Sequence, residues 1–399
     1  MSRPFSLNRP VARAVARSAA WSATGAGGDP SLRSVAFMGD SITAQSVTGL
    51  VNLNSNGYPV WARAFGGSRW DFEPNGAALT FATGGFDTFQ VAATHLPQVL
   101  ASNADTAFLH CGTNDFSDGT SSQDVADEIL SMWLALRAAN IRPIGSTILP
   151  VVGNATKSTW IAATNEIIRS HAAANGIALC DWTNVIDVGT NTGVSNTTFL
   201  PDNIHPGTAG ALLLGRFLSD FLTANYSLAF DPWAAPGALL TRNPAFAGSS
   251  GQPTSWNVPV VPVSGTLNSK SLVADSETGG NWWQMDVTQG AATGFFVCQL
   301  DFVGQASVVG KTVYAITDVE VVSGSFMLAQ LRCAATSNTY DLLNAQALPV
   351  AEYLVAADGV LTLRTPPMVV PSGNTYYTPT LSFAGTGVIR FRRAALYEV

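Results

Sequence analysis

The chain has 399 residues and a formal net charge of −7, with charged side chains at only 12% of positions and three lysines in all. That length exceeds what one ordinary hydrophobic core organises, so two domains are expected. The sparse, slightly acidic charge excludes the basic footprint of a nucleic-acid binder, and no apolar stretch is long enough to span a membrane.

In chain order, the first predicted element is an alanine-rich helical stretch from Val11 to Trp21 that carries Arg13 and Arg17 and follows Arg3 and Arg9. It lacks the continuous apolar run of a secretory signal. Residues 1–30 read as an Arg/Ala-rich arm, either a simple leader or an anchor that docks on a larger assembly. From about Ser31 to Tyr226 strands alternate with helices. The strands are expected at Val35–Met38, Leu79–Ala82, Thr106–Cys111, Arg142–Ile148 and Ile177–Asp181. The helices are expected at Tyr58–Phe65, Gln123–Asn140, Thr159–Asn175 and Gly207–Asn225. Val125, Ile129, Met132 and Leu136 recur at helical spacing and give the second helix one buried face. Gly176 closes the third. This pattern predicts a three-layer α/β/α sandwich with a mostly parallel sheet over residues 31–230. After the turn-rich Asp231-Pro232-Trp233-Ala234-Ala235-Pro236-Gly237, helical periodicity stops. Short runs at Trp282–Val287, Phe295–Phe302, Thr312–Val322, Phe326–Cys333, Val360–Arg364 and Val388–Tyr397 predict a C-terminal antiparallel β-sandwich over residues 231–399.

Four short pieces fall at element boundaries in the first half: Gly39-Asp40-Ser41-Ile42, Gly84-Gly85, Gly112-Thr113-Asn114-Asp115 and Asp202-Asn203-Ile204-His205. Ser41 follows a buried strand, where open α/β sheets bind ligands. A serine hydroxyl becomes a useful nucleophile only when a base takes its proton, and histidine does so near neutral pH. His205 is the candidate base, with Asp202 three residues away to orient it. His95, His110 and His171 lack a carboxylate so close in sequence. Each piece taken alone also reads as an ordinary turn or helix cap. All four in order, each beside a predicted element, point to acyl transfer.

The four pieces resemble the blocks of the SGNH (GDSL-type) hydrolase family, and the resemblance covers residues 31–226. It implies a serine esterase that works through an acyl-enzyme with no cofactor, with Ser41, Asp202 and His205 catalytic. It also implies an oxyanion hole made by the Ser41 N–H, the Gly85 N–H and the Asn114 side chain. Asp40 and Asp115 are read as acceptors of backbone hydrogen bonds in their turns. The Asn243-Pro244-Ala245-Phe246 opening, Trp256 and the Leu396-Tyr397 close resemble carbohydrate-binding jelly rolls. That second resemblance implies a carbohydrate O-acetylesterase acting on an acetylated polysaccharide, with Trp282 and Trp283 as candidate sugar-stacking residues. Tyr376 and Tyr377 are considered beside them, against the alternative that all four fill a core. A lipase or arylesterase, and a non-catalytic glycan-binding decoration protein, are the competing readings. Arg/Ala-rich leaders ahead of an enzymatic domain resemble those of phage tail-type proteins, which implies a virion-associated or extracellular setting.

No metal site is expected, because the four histidines and four cysteines show no ligand spacing. Cys111 and Cys180 end strands two positions apart in the expected sheet, beyond disulfide reach, and are expected free. A bridge between Cys298 and Cys333 is left open.

Overall fold

The computed structural model describes residues 31–398 apart from 46, 49–51, 54–55, 73–78, 190, 235–236, 258, 263–264, 291–295, 300–302, 305–307, 336–338, 343–353, 366 and 371–375. The expected arm at residues 1–30 lies outside the described residues.

Five parallel strands form the first sheet: β1 Val35–Gly39, β2 Thr80–Ala82, β3 Thr106–His110, β4 Arg142–Ser146 and β5 Ala178–Cys180. Their spatial order is β2-β1-β3-β4-β5, so the chain steps to one side of β1 and then to the other. This order places a topological switch point beside the carboxyl end of β1, where doubly wound sheets hold their ligands. β1 and β3 are buried throughout, which explains their unbroken apolar runs.

The helices beside this sheet include α1 Ser41–Ala44, α2 Tyr58–Phe65, α3 Thr88–Leu100, α4 Ser122–Ala138, α5 Ala155–Asn175 and α6 Thr208–Asn225. Helix α2 packs on α6, and α3, α4 and α5 pack in series, giving the α/β/α layers. Phe37 from β1 meets Tyr58, Trp70, Phe72 and Phe108 at ring separations of 5.6–5.8 Å. Helix α3 is not among the helices expected from the sequence, where Pro97 interrupts the run. Its start is nevertheless written locally. Asp87 caps the Gln90 N–H and the Gln90 side chain answers the Asp87 N–H, a reciprocal pair readable as Asp-x-x-Gln.

The C-terminal half is an antiparallel β-sandwich region built on one ten-stranded sheet. Its main path runs β6 Thr266–Ala274, β7 Asn281–Thr288, β12 Tyr376–Glu398, β9 Thr312–Ala335 and β10 Thr339–Leu342, with β8 Phe296–Gln299 on β12 and β11 Val360–Arg364 on β9. The two runs expected at Thr312–Val322 and Phe326–Cys333 are one strand. Its register with β12 slips at Ile316/Asp318, Val321/Ser323 and Phe326/Leu328. Such irregularities bend a long strand, so β9 and β12 pair over most of their length without lying flat. Phe296, Phe326, Phe383 and Phe391 fill the space inside. Cys111, Cys180 and Cys298 are free and buried, so Cys298 makes no bridge to Cys333.

The two halves meet across buried polar contacts. Asp71, which follows α2, takes one guanidinium from Arg63 at 3.0 Å and another from Arg364 at the end of β11. Arg63 also donates to the Arg364 carbonyl at 3.1 Å, and the Ser68 hydroxyl donates to the Thr362 carbonyl at 2.9 Å. Arg216 on α6 pairs with Asp358 at 2.6 Å.

Candidate active site

Each piece singled out in the sequence emerges at the carboxyl edge of the parallel sheet. Gly39 ends β1 where a Cβ would lie 2.0 Å from the His110 carbonyl of β3, so the close approach of these strands requires glycine. Asp40 then caps α1 by accepting the Ile42 N–H at 3.0 Å, which presents Ser41 at the first helical position, partly open to the crevice. The Ser41 N–H, in the first turn, has no intrahelical acceptor.

Asp202 and His205 reach Ser41 from the loop before α6. The Asp202 carboxylate accepts the Ile204 and His205 N–H groups at 3.0 and 2.7 Å and the His205 Nδ1–H at 2.7 Å. The other ring nitrogen, Nε2, lies 2.7 Å from the Ser41 Oγ. A carboxylate can only accept, so Nδ1 carries the proton and Nε2 is left to accept from the serine hydroxyl. Desolvation acts against it, but the His205 and Ile204 N–H groups and the imidazole hold the Asp202 carboxyl below the usual range. The loop bends at Asn203, whose φ is +77°, and the Asn203 carbonyl accepts the Val152 N–H at 3.0 Å. That bond ties the histidine loop to the segment between β4 and α5.

The Gly84-Gly85 turn follows β2. Phe86 N–H returns to the Thr83 carbonyl at 3.4 Å and Gly85 has a φ of +83°, the third position of a type II turn. A Cβ on Gly84 would sit 3.8 Å from the Ser41 Cβ, whereas one on Gly85 would meet nothing within 4 Å. Among the described residues neither glycine N–H has a backbone acceptor, so both are free to donate. His95 of α3 supports the turn by stacking on Phe86 at 5.4 Å and placing Nε2 3.0 Å from the Thr83 hydroxyl. Asn114 follows β3, and its amide donates one hydrogen to the Phe86 carbonyl at 2.9 Å, which leaves the second for a ligand.

Asp115 is expected to accept hydrogen bonds within its own turn, but its carboxylate works across the chain. It accepts the Thr88 hydroxyl at 2.6 Å and the Thr88 N–H at 3.1 and 3.2 Å, at the first residue of α3. A carboxylate there is favoured by the unpaired donors of a helix amino end. Asp40 lies fully buried beneath Ser41, and among the described residues its Oδ2 has no hydrogen-bond partner. Burial pushes its carboxyl up to about 7, against the pull of the Ile42 N–H and of His205. His110 is not part of the constellation. It is buried, its Nδ1 lies 2.9 Å from the Ser146 hydroxyl, and burial lowers its pKa to about 3.

Trp282 and Trp283 do not form the expected stacking surface. Trp282 is 4% exposed with the Arg390 and Arg392 guanidiniums over its ring at 4.3 and 4.5 Å, and Trp283 is fully buried against Phe246 and Trp256. Their neighbours on one strand point to opposite faces, and here both faces are covered, one by packed aromatics and one by arginines. The side chains of Tyr376 and Tyr377 lie outside the described residues. Among the described residues no cluster of His, Cys, Asp and Glu could hold a metal ion, and no helix is long and apolar enough to cross a membrane.

Residues 37–213 match the model of the GDSL-like Lipase/Acylhydrolase family, so the α/β half carries a GDSL/SGNH-type hydrolase domain. Similar solved structures include a GDSL-like lipase from Bacteroides thetaiotaomicron, 20% identical, covering 48% of this chain and 88% of its own with a TM-score of 0.37. Another is a catalytic mutant of an acetylxylan esterase from Geobacillus stearothermophilus, 14% identical, covering 50% of this chain and 97% of its own with a TM-score of 0.38. No curated protein sequence matches the chain.

Proposed function

We propose that the protein is a serine esterase, acting through an acyl-enzyme, and that its substrate is an O-acetylated polysaccharide. The observation that carries the chemistry is the unbroken chain Asp202–His205–Ser41, with 2.7 Å at both links to the imidazole. His205 Nε2 takes the Ser41 proton as Oγ attacks the ester carbonyl. The negative oxygen that forms is met by the Ser41 N–H, the Gly85 N–H and the free hydrogen of the Asn114 amide, each a donor set in place beforehand. His205 then returns its proton to the departing alcohol. Water repeats the sequence on the acyl-enzyme and releases the acid. Asp202 holds the tautomer throughout.

The preference for an acylated carbohydrate rests on openness. The Asp202 side chain is 57% exposed and Gly84 and Gly85 lie at the surface, a rim that admits a short acyl group on a large polar carrier. A long acyl chain would gain most from an enclosed apolar channel. The same reading divides the chain into an arm at 1–30, a catalytic domain at 31–230 and an accessory, glycan-guiding domain at 231–399. Support for the middle boundary pair comes from Ser31–Leu32, which pairs in parallel with Ser227–Leu228 and closes the α/β half on itself. An arm that docks on a virion or another assembly fits the same division. The test compares wild type with Ser41→Ala on p-nitrophenyl acetate, butyrate and octanoate, then measures acetate release from acetylated xylan. Serine-dependent cleavage that falls with acyl length supports the reading. A folded wild type that cleaves none of these esters refutes it.

A further inference from the structure

Among the described residues, one cation near the crevice has no hydrogen-bond or ion-pair partner. The chain has three lysines. Lys270 donates to Gln252 at 2.5 Å and Lys311 pairs with Glu398 at 2.6 Å, while the Lys157 ammonium makes no hydrogen bond or ion pair among the described residues. Lys157 is nevertheless only 6% exposed. The aliphatic chain is thus packed away while the ammonium itself keeps contact with solvent, as a charge that is to meet a ligand must.

The position of Lys157 defines what it faces. It is the third residue of α5, a helix of 21 residues whose N-cap Asn154 accepts the Lys157 N–H at 2.9 Å. Lys157, Ile161, Thr164 and Ile168 fall on the buried stripe of that helix. A crossover helix runs antiparallel to its strands, so the amino end of α5 lies at the carboxyl edge of the sheet, where Ser41 and Asn114 emerge. Helical side chains lean toward the amino end, which carries the lysine past the first turn toward that edge. Its neighbours agree. The ammonium stands 6.0 Å from the ring of Phe116, two residues after Asn114, and Val152, five residues before Lys157, bonds the Asn203 carbonyl of the histidine loop. Burial lowers the lysine's pKa while the charges of Asp40 and Asp115 raise it, so both carboxylates are within electrostatic reach. Neither pairs with it directly. Asp115 is taken up by Thr88, and Asp40 gives one oxygen to the Ile42 N–H.

We propose that Lys157 and the amino end of α5 form an anion subsite of the catalytic crevice, built for a carboxylate that the substrate carries or that its hydrolysis releases. The unpaired N–H groups and positive end of a long helix add to the ammonium. Asp40 and Asp115 nearby disfavour a doubly charged phosphate more than a singly charged carboxylate. The two sources of that carboxylate are an acidic sugar such as a uronate, and the free acid left by deacylation. The subsite rests on the esterase reading for its purpose, but not for its test.

Binding is measured by calorimetry on the Ser41→Ala full chain, where no turnover intervenes. The probes are sodium acetate, a galacturonate trisaccharide and, as a neutral control, xylotriose. An acidic probe is expected to bind, and Lys157→Gln in the same background to weaken it by about tenfold or more, with Lys157→Arg closer to the parent. Lys157-dependent binding of acetate assigns the subsite to the released acid. Binding of the galacturonate but not acetate assigns it to the substrate. Lys157→Met, whose aliphatic chain fills similar space, replaces the Gln variant if thermal melting shows that one misfolded. The proposal is overturned if neither acidic probe binds, if removing the charge leaves affinity unchanged, or if xylotriose shows the same dependence. A wild type without esterase activity that still binds acid through Lys157 would refute the catalytic reading and leave the subsite standing.

Discussion

The Asp115 carboxylate receives both the hydroxyl and the N–H of Thr88, and through this contact the loop that carries Asn114 is locked to the helix that follows the Gly84-Gly85 turn. Two of the three proposed oxyanion donors are thus held in register by one buried side chain. Asn114 adds a second tie through the Phe86 carbonyl, on the same stretch of chain.

Removing that carboxylate should therefore damage positioning more than binding. Asp115→Ala leaves two buried donors of Thr88 without an acceptor, at a cost of about 1–3 kcal/mol in stability. It also lets the donors drift, for which a fall in kcat of roughly 10- to 100-fold with little change in KM is expected. Steady-state kinetics on p-nitrophenyl acetate and a chemical denaturation curve read the two effects separately. Equal kcat in the variant would show that Asn114 is held by other contacts.

Asp202 is half open to solvent, unlike the buried aspartate of many triads, and water can partly stand in for it. Asp202→Asn is expected to lower kcat by roughly 100- to 1,000-fold, less than the ~10,000-fold typical of a buried triad aspartate. The loss should exceed that of any change at the neighbouring Asn203. A kcat within a few-fold of wild type would mean that His205 is oriented by its backbone contacts alone.

Asp40 gives the stability a pH dependence of definite sign. Its carboxyl is raised by burial from 3.8 to about 7 in the folded protein, so between those values the folded state holds a proton that the unfolded chain has released. Stability contributed by this group is thus lost as pH rises from about 4 to 7, by an amount on the order of a few kcal/mol. Asp40→Asn keeps an oxygen for the Ile42 N–H and cannot ionise. The melting temperature of this variant minus that of wild type should become more positive from pH 4 to pH 8. A difference that stays flat across this range would show that Asp40 does not change charge there.

Asp71 lies between two guanidiniums from opposite halves of the molecule. Breaking a buried pair by removing one member costs about 3–5 kcal/mol, because the other charge is left unpaired. Asp71→Ala removes the carboxylate that both guanidiniums face, whereas Arg364→Ala leaves Asp71 its contact with Arg63. Asp71→Ala should be the more destabilising of the two, by 1 kcal/mol or more in denaturant unfolding, and should separate the unfolding of the halves. The reverse order would assign the role of Arg364 to its packing over Tyr314 and Phe230 instead.

Much of this was legible in the chain itself. Val35–Gly39 and Thr106–His110 are apolar because both faces of a parallel strand are buried, and the helix Tyr58–Phe65 has the bounds its composition predicts. Ser41, Asn114, Asp202 and His205 could be singled out because short-range chemistry writes itself into short motifs: a cap, a strand end, an Asp three residues from a His. The distances that bring them together could not, since they depend on strand order, and β2-β1-β3 alone sets Ser41 beside the Asn114 loop. Trp282 and Trp283 show the converse. An aromatic pair reads the same whether it faces a sugar or a core, and only the arginines laid over one ring and the aromatics packed on the other decided for burial. Thr88 with Asp115, Arg364 with Asp71, and the ammonium of Lys157, unpaired by any carboxylate among the described residues, belong to the tertiary structure for the same reason. A residue's type determines what it can bond, but its charge acquires or lacks a partner only through contacts between elements distant in sequence.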